Sequence, residues 1–540
     1  MTVKVWTKMI LVTWAVLSVS SARAQQAQRV TLKENSSVVE IRLMFRAGSA
    51  HDLAGKEGLA AVTAQMIAEG GFGDPKNPVT KEMLADKTFQ YGDSATPAFR
   101  IDKETTTFSM TVPKSNLKKY VTEILRPMFV QPLFSPTELD RIREENLTSI
   151  TSVLRLEDME ALGLEAIDDY LFQHTSYSHP LSGTVAGLNA ISPEDLRRFY
   201  ATYYQTSNLI VGIRGKQPEK IGRGIVEAIR ELDMRGDPPI QPFPVTPLLK
   251  PEQPKGRNLI IVAIDGEGTS TGIHGAFPLP ATLNRSHPDY WPLLVANTYF
   301  GTHRDSFSHL YEEIRSKRGF NYGDYSYIEH FAERTRFMVP PFNTPRTNQY
   351  FSLWIRPVPS QYGHFVLHAM LWELDHLIRK GLTDDQVQGS KIKTIGIYYN
   401  SADRLSRRLQ ARMDDAFYGT QGYLENYTAR VQGVTTEQVN AAIRKYLQAD
   451  NMKVLMVTDK KWAPQLAKNI NTGTNVVGKT PQEYKFWNGR GEFTPTAEQK
   501  DILQQDARWA AYPLNLKSVR VVSSNELFET GGFVEEDASP

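Results

Sequence analysis

The chain has 540 residues, of which 41% are hydrophobic and 23% charged, and its formal net charge at pH 7 is +2. This composition is typical of a globular protein with several domains and excludes an intrinsically disordered chain. A nearly neutral balance without a Lys/Arg-rich run argues against nucleic acid as a partner. The absence of cysteine excludes disulfides, thiolate metal sites and a cysteine nucleophile.

The N-terminal segment, residues 1–24, has the features of a signal peptide. Lys4 and Lys8 precede an apolar run at 9–17, and Ala22 and Ala24 form an A-x-A cleavage signal. The apolar run is too short to span a bilayer, and no later stretch approaches that length, so no membrane span is predicted. A single N-terminal anchor is the alternative. We expect an exported protein, periplasmic or secreted.

The residues after the signal segment mix alternating strands with amphipathic helices. Residues 39–45 and 107–112 alternate apolar and polar side chains, as half-buried strands do. A helix is predicted over 58–66, after a Gly-Ser turn. The order of the elements is irregular rather than strictly βαβ, which predicts an α+β fold.

Helix-start signals show that the chain repeats itself. Capping boxes are predicted at Ser135, Ser192, Thr383 and Thr435. Thr435 follows Ser192 by 243 residues, and the strands that come after the two helices keep the same spacing. We therefore predict two tandem homologous halves, residues 25–236 and 258–475, each a mixed sheet with helices packed on one side.

The segment between the halves is rich in proline, which can continue neither a helix nor a central strand. Residues 237–257 are therefore predicted to be an extended linker. Beyond the second half, residues 476–540 form a C-terminal extension with a predicted helix at 497–509, a short strand at 519–522 and an acidic tail.

Several segments resemble the insulinase/pitrilysin-type zinc metallopeptidases. In the first half these are residues 45–50, 58–60 and 66–70, and in the second half residues 288–297 and 310–322. The resemblance covers roughly residues 29 to 475. It implies two tandem α+β halves per chain, and it implies that two such chains pair face to face around a chamber, one carrying zinc and the other an Arg/Tyr pair.

The family's zinc helix carries an inverted H-x-x-E-H motif, whose positions here hold Ala61, Ala64 and Gln65. A methyl group has no lone pair, and a neutral amide is a poor zinc ligand beside imidazole or carboxylate. The third ligand of the family is a Glu on a later helix, and Glu144 and Glu145 are both near the matching position. These two carboxylates also fit a solvated helical face. We expect no metal and no catalytic residue of its own in this chain.

His364 and His368 offer a displaced metal site, because imidazoles at i and i+4 share a helical face. Asp375 lies on the same face and His376 is nearby. No Glu stands between the two histidines to act as a base, and the surrounding apolar residues predict a packing helix with two surface histidines. The remaining candidate histidines form no recognisable ligand set; they are His174, His179, His303 and His309.

Arg315 and Tyr322 match the Arg/Tyr pair of the family's L-x-x-x-[LI]-R-x-K-x-G-[LF]-x-Y segment. From the residues alone, Arg315 is a cation in the last turn of a helix that ends at Gly319. The resemblance implies instead that both side chains bind substrate. A guanidinium and a phenol can donate hydrogen bonds to a scissile carbonyl as it becomes an oxyanion.

These observations favour a zinc-free, non-catalytic subunit of an exported heteromeric metallopeptidase. The chain would bind peptide substrate and lend Arg315 and Tyr322 to a zinc-bearing homologous subunit with an intact H-x-x-E-H motif. The alternative is a peptide-binding or structural scaffold with no catalytic contribution. A stand-alone peptidase would need a displaced metal site such as the one around His364 and His368.

Overall fold

The computed structural model describes residues 27–235, 257–266, 268–331, 341–420, 422–473 and 497–531. The strands of the N-terminal half are β1 (Gln28–Lys33), β2 (Val38–Phe45), β3 (Phe72–Asp74), β4 (Asn77–Val79), β5 (Ala98–Ile101), β6 (Thr106–Pro113) and β7 (Leu209–Gly215). Its helices are α1 (Leu59–Glu69), α2 (Lys81–Phe89), α3 (Leu117–Tyr120), α4 (Arg126–Val130), α5 (Pro136–Thr148), α6 (Met159–Leu171), α7 (Val185–Ala190), α8 (Pro193–Tyr203) and α9 (Pro218–Ala228).

The C-terminal half repeats this mixture and is followed by two further elements. Its strands are β8 (Arg257–Ile264), β9 (Ser270–Pro278), β10 (Asp324–Tyr327), β11 (Tyr350–Pro359) and β12 (Lys453–Asp459). Its helices are α10 (Tyr290–Gly301), α11 (Gly363–Lys380), α12 (Asp384–Ala402), α13 (Leu405–Tyr418), α14 (Tyr423–Gln432), α15 (Thr436–Tyr446) and α16 (Ala463–Thr472). The C-terminal extension forms α17 (Ala497–Ala510) and β13 (Leu516–Ser523).

The two main sheets have the same strand order, which confirms the tandem α+β architecture. The N-terminal sheet runs β1-β7-β2-β6-β5, and the C-terminal sheet runs β8-β12-β9-β11-β10, with β13 added beside β8. In each sheet the first pair is parallel, β1 with β7 and β8 with β12, and the next three pairs are antiparallel. The chain therefore folds the same sheet twice.

Local capping explains why the repeat is visible in the sequence. The Ser192 and Thr435 side chains accept hydrogen bonds from the backbone N–H groups of Asp195 and Gln438, and each forms a complete capping box. A third box starts α12 at Thr383. Ser135 caps α5 through the N–H of Glu138, which is half of the box predicted there.

Each sheet has its own helices on one face and one helix of the other half on its second face. Helix α13 crosses β1 and β7, and α6 crosses β9 and β12. The close approach uses two glycines. A Cβ on Gly212 of β7 would lie 2.2 Å from Sδ of Met413, and one on Gly163 of α6 would lie 2.0 Å from Nε2 of His274. The halves thus exchange equivalent helices, because α6 follows α5 as α13 follows α12.

A buried ionic cluster joins the halves. The Arg346 guanidinium, fully buried in the loop before β11, contacts the carboxylates of Asp102 at 2.6 Å and Asp168 at 3.0 Å. Burial opposes ionisation of both carboxyl groups, but the Arg346 charge holds their pKa values below the usual range. Breaking such a cluster leaves a charge buried without a partner, so Arg346 ties the halves together strongly.

The C-terminal extension contacts both halves. Strand β13 runs parallel to β8, and the chain then reaches the N-terminal half, where Arg155 donates to the carbonyl of Leu527 and pairs with Glu529 at 2.8 Å. The predicted signal segment lies outside the described residues. So does the predicted linker, except for Arg257, the first residue of β8. Within the described part of the chain, no helix is long and apolar enough to cross a membrane.

Candidate functional site

The start of α1, the helix that matches the family's zinc helix, is held by a buried carboxyl group. Asp52 accepts hydrogen bonds from the backbone N–H groups of Gly58 at 2.7 Å and Ala60 at 2.6 Å. Burial raises the pKa of Asp52 to about 8, although these two hydrogen bonds oppose the rise. Gly58 has a φ of 109°, a conformation that strains residues with a Cβ. Asp52 and Gly58 therefore set where α1 presents its side chains.

All three positions of the degenerate motif lie on α1. Ala61 is 6% exposed and Ala64 is fully buried, so at these positions α1 offers only methyl groups. The Gln65 Nε2 donates to Oε2 of Glu145 at 3.0 Å, and Nδ2 of Asn146 donates to Oε1 of Gln65 at 2.9 Å. The Gln65 amide is thus hydrogen-bonded at both ends by α5.

The carboxylates around Gln65 are neutralised by nearby cations. Glu145, rather than Glu144, has the hydrogen bond to Gln65, and Arg141 pairs with Glu145 at 2.6 Å. Glu69, one turn after Gln65, pairs with Lys81 at 2.9 Å. Among the described residues, no group of three or more His, Cys, Asp or Glu side chains could hold a metal ion. We call Ala61, Ala64, Gln65 and Glu145 the α1 patch.

Arg315 and Tyr322 lie side by side at the surface. Arg315 belongs to a π-helical segment, Tyr311–Ser316, and the turn that follows passes through Gly319 with a φ of 66°. The guanidinium carbon lies 4.5 Å from the centre of the Tyr311 ring and 5.9 Å from that of Tyr322. The Tyr322 side chain is 76% exposed. The turn therefore presents a guanidinium and a phenol together; π-helical turns often occur at functional sites.

The segment that carries Arg315 is anchored by the C-terminal extension. Arg318, fully buried, stacks 3.8 Å from the ring centre of Trp509 on α17 and pairs with Asp506 at 2.8 Å. The Trp509 indole N–H in turn donates to the Glu373 carboxylate at 2.9 Å. The sequence does not reveal this contact, because the helix predicted at 497–509 carries no signal for its packing partner.

A buried carboxyl group lies beneath the turn after Tyr322. Burial raises the pKa of Asp324 well above its usual value, which the hydrogen bond from Asn321 and the charges of Arg315 and Arg356 oppose only in part. The Asn321 amide donates to Oδ1 of Asp324 at 2.7 Å. Burial therefore favours the uncharged form of Asp324, next to the turn that carries Arg315.

The structure corrects the surface position expected for His364 and His368. They lie on α11 as predicted, but they are 1% and 7% exposed. Their Nε2 atoms are 3.0 Å apart, and Nδ1 of His368 lies 2.8 Å from the carbonyl oxygen of Tyr512. Burial and the His364 charge lower the pKa of His368 to about 4. The pair is part of the packing between α11 and the C-terminal extension, a contact that helical periodicity does not reveal.

The remaining candidates are dispersed. Asp375 pairs with Arg379, and His376 stacks on Trp372. His303 is hydrogen-bonded to Tyr327, His309 to Glu373, and His179 lies near Asp52, whereas His174 is in the loop after α6. The hydrogen bonds, ion pairs and ring contacts of the described residues do not join the α1 patch to Arg315 and Tyr322. Each half holds one of the two candidate sites.

Family models match most of the described chain. A model described as Insulinase (Peptidase family M16) matches residues 29–185, and one described as Peptidase M16 inactive domain matches residues 190–393. An uncharacterized zinc protease of Streptomyces coelicolor is 30% identical over 290 residues, which cover 51% of this chain and 57% of that protein. The chain thus matches a little over half the length of this relative and of an uncharacterized zinc protease of Mycobacterium bovis.

Two other similar proteins are named as inactive forms. The non-peptidase homolog YmxG of Helicobacter pylori is 20% identical over 428 residues, covering 78% of this chain and 89% of that protein. A solved M16 inactive domain from Pseudomonas fluorescens has a TM-score of 0.66 at 20% identity, covering 81% and 96% of the two chains. The periplasmic protease PqqL of Escherichia coli has a TM-score of 0.59 at 14% identity, with 91% and 50% coverage. At these identities the solved structures establish the fold.

Proposed function

Because the chain belongs to the insulinase (M16) peptidase family, we propose that it is the zinc-free, non-catalytic subunit of an exported two-chain metallopeptidase. It is an M16-like homologue of the inactive type, with alanines and an amide in place of the zinc ligands. A homologous partner with an intact H-x-x-E-H motif supplies the zinc and the activated water. The signal-like residues 1–24, and the periplasmic relative PqqL, support a periplasmic or secreted location.

The pairing of Arg315 and Tyr322 at an exposed turn is the observation that carries this proposal. The guanidinium is permanently charged, and the phenol of Tyr322 is open to solvent. Both groups donate to the scissile carbonyl oxygen of a peptide bound at the partner's zinc, where negative charge develops in the transition state. The buried stack of Arg318 on Trp509 supports their role, because a preorganised donor needs a rigid base.

Peptide substrate binds in this proposal as an added strand at a sheet edge. In the described part of the chain, β5 and β10 each have a sheet neighbour on one side only. An exposed edge offers unpaired backbone N–H and C=O groups to an extended peptide. The same geometry serves a peptide-binding scaffold without a catalytic role, so the decisive measurement is the reaction rate.

The test is steady-state kinetics on the reconstituted complex with Arg315→Gln and Tyr322→Phe. Each change removes one donor, and such a loss typically lowers kcat by about 10²–10³. KM and the melting temperature stay nearly constant, because the oxyanion forms only near the transition state and Tyr322 is exposed. Unchanged kcat in both variants returns the pair to a structural role and favours the scaffold.

Two control variants match the chemistry of the tested pair. Tyr399→Phe deletes a phenol that is 59% exposed on α12, and Arg379→Gln removes a guanidinium that is 61% exposed on α11. Neither residue lies in the Arg315 segment, so both variants keep the wild-type rate. Purification of the partner with this chain, and zinc analysis of the complex, verify that the partner is loaded.

A further inference from the structure

A half-open cleft of about 440 Å³ lies between the N-terminal sheet and α13. Its floor is the face of β2, β6 and β5 that is turned away from the helices of the N-terminal half. Arg42 is opposite Ser109 in the sheet register, and Thr107 lies between Met44 and Arg100. The next residues along β2 and β6 pack into the hydrophobic core. Strand alternation therefore gives this face a polar floor, and α13 covers only part of it.

Four arginines line the cleft. Arg42 comes from β2 and Arg100 from β5, and Arg404 and Arg407 come from the start of α13. Arg42 is held in place, because its guanidinium donates to Gln410 at 2.5 Å and pairs with Glu40 at 2.9 Å on its other side.

Arg100 and Arg404, the exposed arginines of the cleft, are available to pair with a charged ligand. Arg100 donates to the Thr344 hydroxyl at 3.1 Å, and Arg404 is exposed at the N-cap of α13. Within the described ranges, neither guanidinium has a carboxylate in ion-pair distance. Of the two carboxylates that line the cleft, Asp102 is already bound to Arg346. Arg100 and Arg404 therefore give the cleft positive charge that no described carboxylate neutralises.

The N-terminus of α13 strengthens this positive field. Helix α13 begins at Leu405, its N-cap residue Arg404 forms no side-chain cap, and its first turn contains no acidic residue. The free N–H groups of a helix N-terminus favour negative charge. Arg404, Ser406 and Arg407 all line the cleft, so this helix end lies at its wall.

We propose that the cleft binds an acidic segment of an extended polypeptide. The proposal rests on the proposed function, since it names the class of peptide that this subunit holds for its partner. Glutamate or aspartate side chains pair with Arg100 and Arg404, and the hydroxyls of Thr107 and Ser109 donate to the same carboxylates. The outer edge of β5 lies beside Arg100 and accommodates the peptide backbone. Alternate residues of a strand point to one side, so acidic residues at every second position fit best.

The test is fluorescence anisotropy with the full chain alone, without the zinc-bearing partner. Three labelled eight-residue peptides carry glutamate, glutamine or lysine at the same alternate positions. We expect the glutamate peptide to bind about tenfold more tightly than the glutamine peptide, and the lysine peptide to bind more weakly than either. The preference for the glutamate peptide decreases as salt is added. Equal affinity for the glutamate and glutamine peptides overturns the proposal.

Two variants and a matched control locate the binding. Arg100→Gln and Arg404→Gln remove exposed guanidiniums that support no buried contact, so the fold is retained. Each reduces the affinity for the glutamate peptide several-fold, and the double variant removes the preference for it. Arg408→Gln changes an arginine on the same helix that does not line the cleft, and it leaves the affinity unchanged. An equal effect of all three variants overturns the proposal.

Competition separates a peptide site from a site for small anions. Inorganic phosphate and glutarate are anions without a peptide backbone, and we expect each to displace the glutamate peptide only at concentrations far above the Kd of the peptide. Displacement at concentrations near that Kd overturns the proposal in favour of a small-anion site. Because no partner or turnover is involved, failure here leaves the roles of Arg315 and Tyr322 untouched. Unchanged kcat in their variants likewise leaves this cleft untouched.

The cleft contains a carboxyl group that titrates in the range of this assay. Burial raises the pKa of Asp414 to about 6, while the charges of Arg285, Arg100 and Arg42 and the hydrogen bond from Gln410 oppose the rise. Below pH 6 this carboxyl becomes neutral, and the cleft gains positive charge. Peptide glutamates stay ionised down to about pH 4.3. The affinity for the glutamate peptide therefore rises between pH 7 and pH 5 in wild type, and an Asp414→Asn variant loses this dependence.

Discussion

The α1 patch and the Arg315–Tyr322 turn occupy different halves of one repeated fold and use their polar groups in opposite ways. In the α1 patch, the Gln65 amide is hydrogen-bonded at both ends by Glu145 and Asn146. At the turn, the Arg315 guanidinium lies beside the rings of Tyr311 and Tyr322, and Tyr322 is 76% exposed. One site is closed on itself and the other faces outward.

The difference follows from how the polar groups of each site find partners. Without imidazole ligands, the carboxylates of Glu145 and Glu69 need other partners, because a charge left without a partner is unfavourable in a partly buried site. Arg141, Lys81 and the amide of Gln65 meet that need within the chain. Arg315 and Tyr322 are instead supported by ring contacts and by the buried Arg318, which leaves the guanidinium and phenol free to donate outward. Internal pairing of its polar groups therefore distinguishes the α1 patch from the turn, whose donors face outward.

The largest effect should come from introducing histidine ligands into the α1 patch, which should create a zinc site. Wild-type chain should hold no stoichiometric zinc after dialysis, whereas Ala61→His with Gln65→His should bind about one zinc per chain, because Glu145 is already placed as a third ligand. Elemental analysis and a chelator competition measure this.

A third substitution tests the assignment of Glu145. Adding Glu145→Gln to the double-histidine variant should weaken zinc binding strongly, and adding Glu144→Gln should not. Zinc retained equally in both triple variants would show that the geometry of the α1 patch has been read wrongly. The melting temperature of each variant checks that the buried position of Ala61 tolerates histidine.

The second largest effect should come from removing Arg318, whose side chain supports the Arg315–Tyr322 turn. Arg318→Met removes the cation that pairs with the buried Asp506, and breaking a buried ion pair in this way costs about 3–5 kcal/mol. Limited proteolysis should then cleave within 497–510, and urea unfolding should begin earlier. Arg508→Gln on the exposed face of α17 is the control, and it should behave as wild type. Equal protease resistance of Arg318→Met and wild type would mean that α17 does not anchor the turn.

Mild acid should loosen the C-terminal half before the N-terminal half. Burial lowers the pKa values of six histidines to about 3 or 4; they are His51, His179, His274, His303, His330 and His368. The last four are in the C-terminal half. A histidine with a lowered native pKa contributes stability above its unfolded value of about 6.5, and this stability is lost as pH falls toward the native value.

In the N-terminal half, Asp52 changes stability with pH in the opposite direction to the histidines. The raised pKa of Asp52 contributes stability that is lost as pH rises through about 8, so acidification favours the folded N-terminal half at this group. Hydrogen exchange followed by mass spectrometry at pH 7 and pH 5 should show protection lost first in β9 to β11 and α11. Earlier loss in β1, β2 and α1 would contradict this order.

The smallest effect should come from Gln65→Ala. The Gln65 hydrogen bonds to Glu145 and Asn146 are partly exposed, and their loss should change the free energy of unfolding by about 1 kcal/mol or less. Thermal melting and circular dichroism measure this change. A loss of unfolding free energy comparable to that of Arg318→Met would show that the α1 patch is essential to the stability of the fold.

Sequence alone predicted the repeat and its helix caps, because their signals are local. The capping boxes at Ser192 and Thr435 depend on residues three apart, and both form as predicted. The position of Gly319, with a φ of 66°, was likewise predicted from the end of a helix. Such features are decided by hydrogen bonds within a few residues.

The predictions that failed concerned contacts over long distances. His364 and His368 were expected at the surface, but residues of the C-terminal extension such as Tyr512 bury them. Glu145 could not be chosen over Glu144, because the choice depends on how α5 is rotated against α1. The periodicity of a helix shows that one face is buried, and it does not show which element covers that face.

The exchange of α6 and α13 between the halves shows this limit most clearly. The sequence by itself determined that two equivalent sheets form, because strand alternation and helix caps are encoded within each half. Only the tertiary structure decided that α6 covers the C-terminal sheet and α13 the N-terminal one, where Gly163 meets His274 and Gly212 meets Met413. Those contacts join residues more than 100 positions apart. They are selected by shape and by the buried charge of Arg346, which no short stretch of sequence encodes.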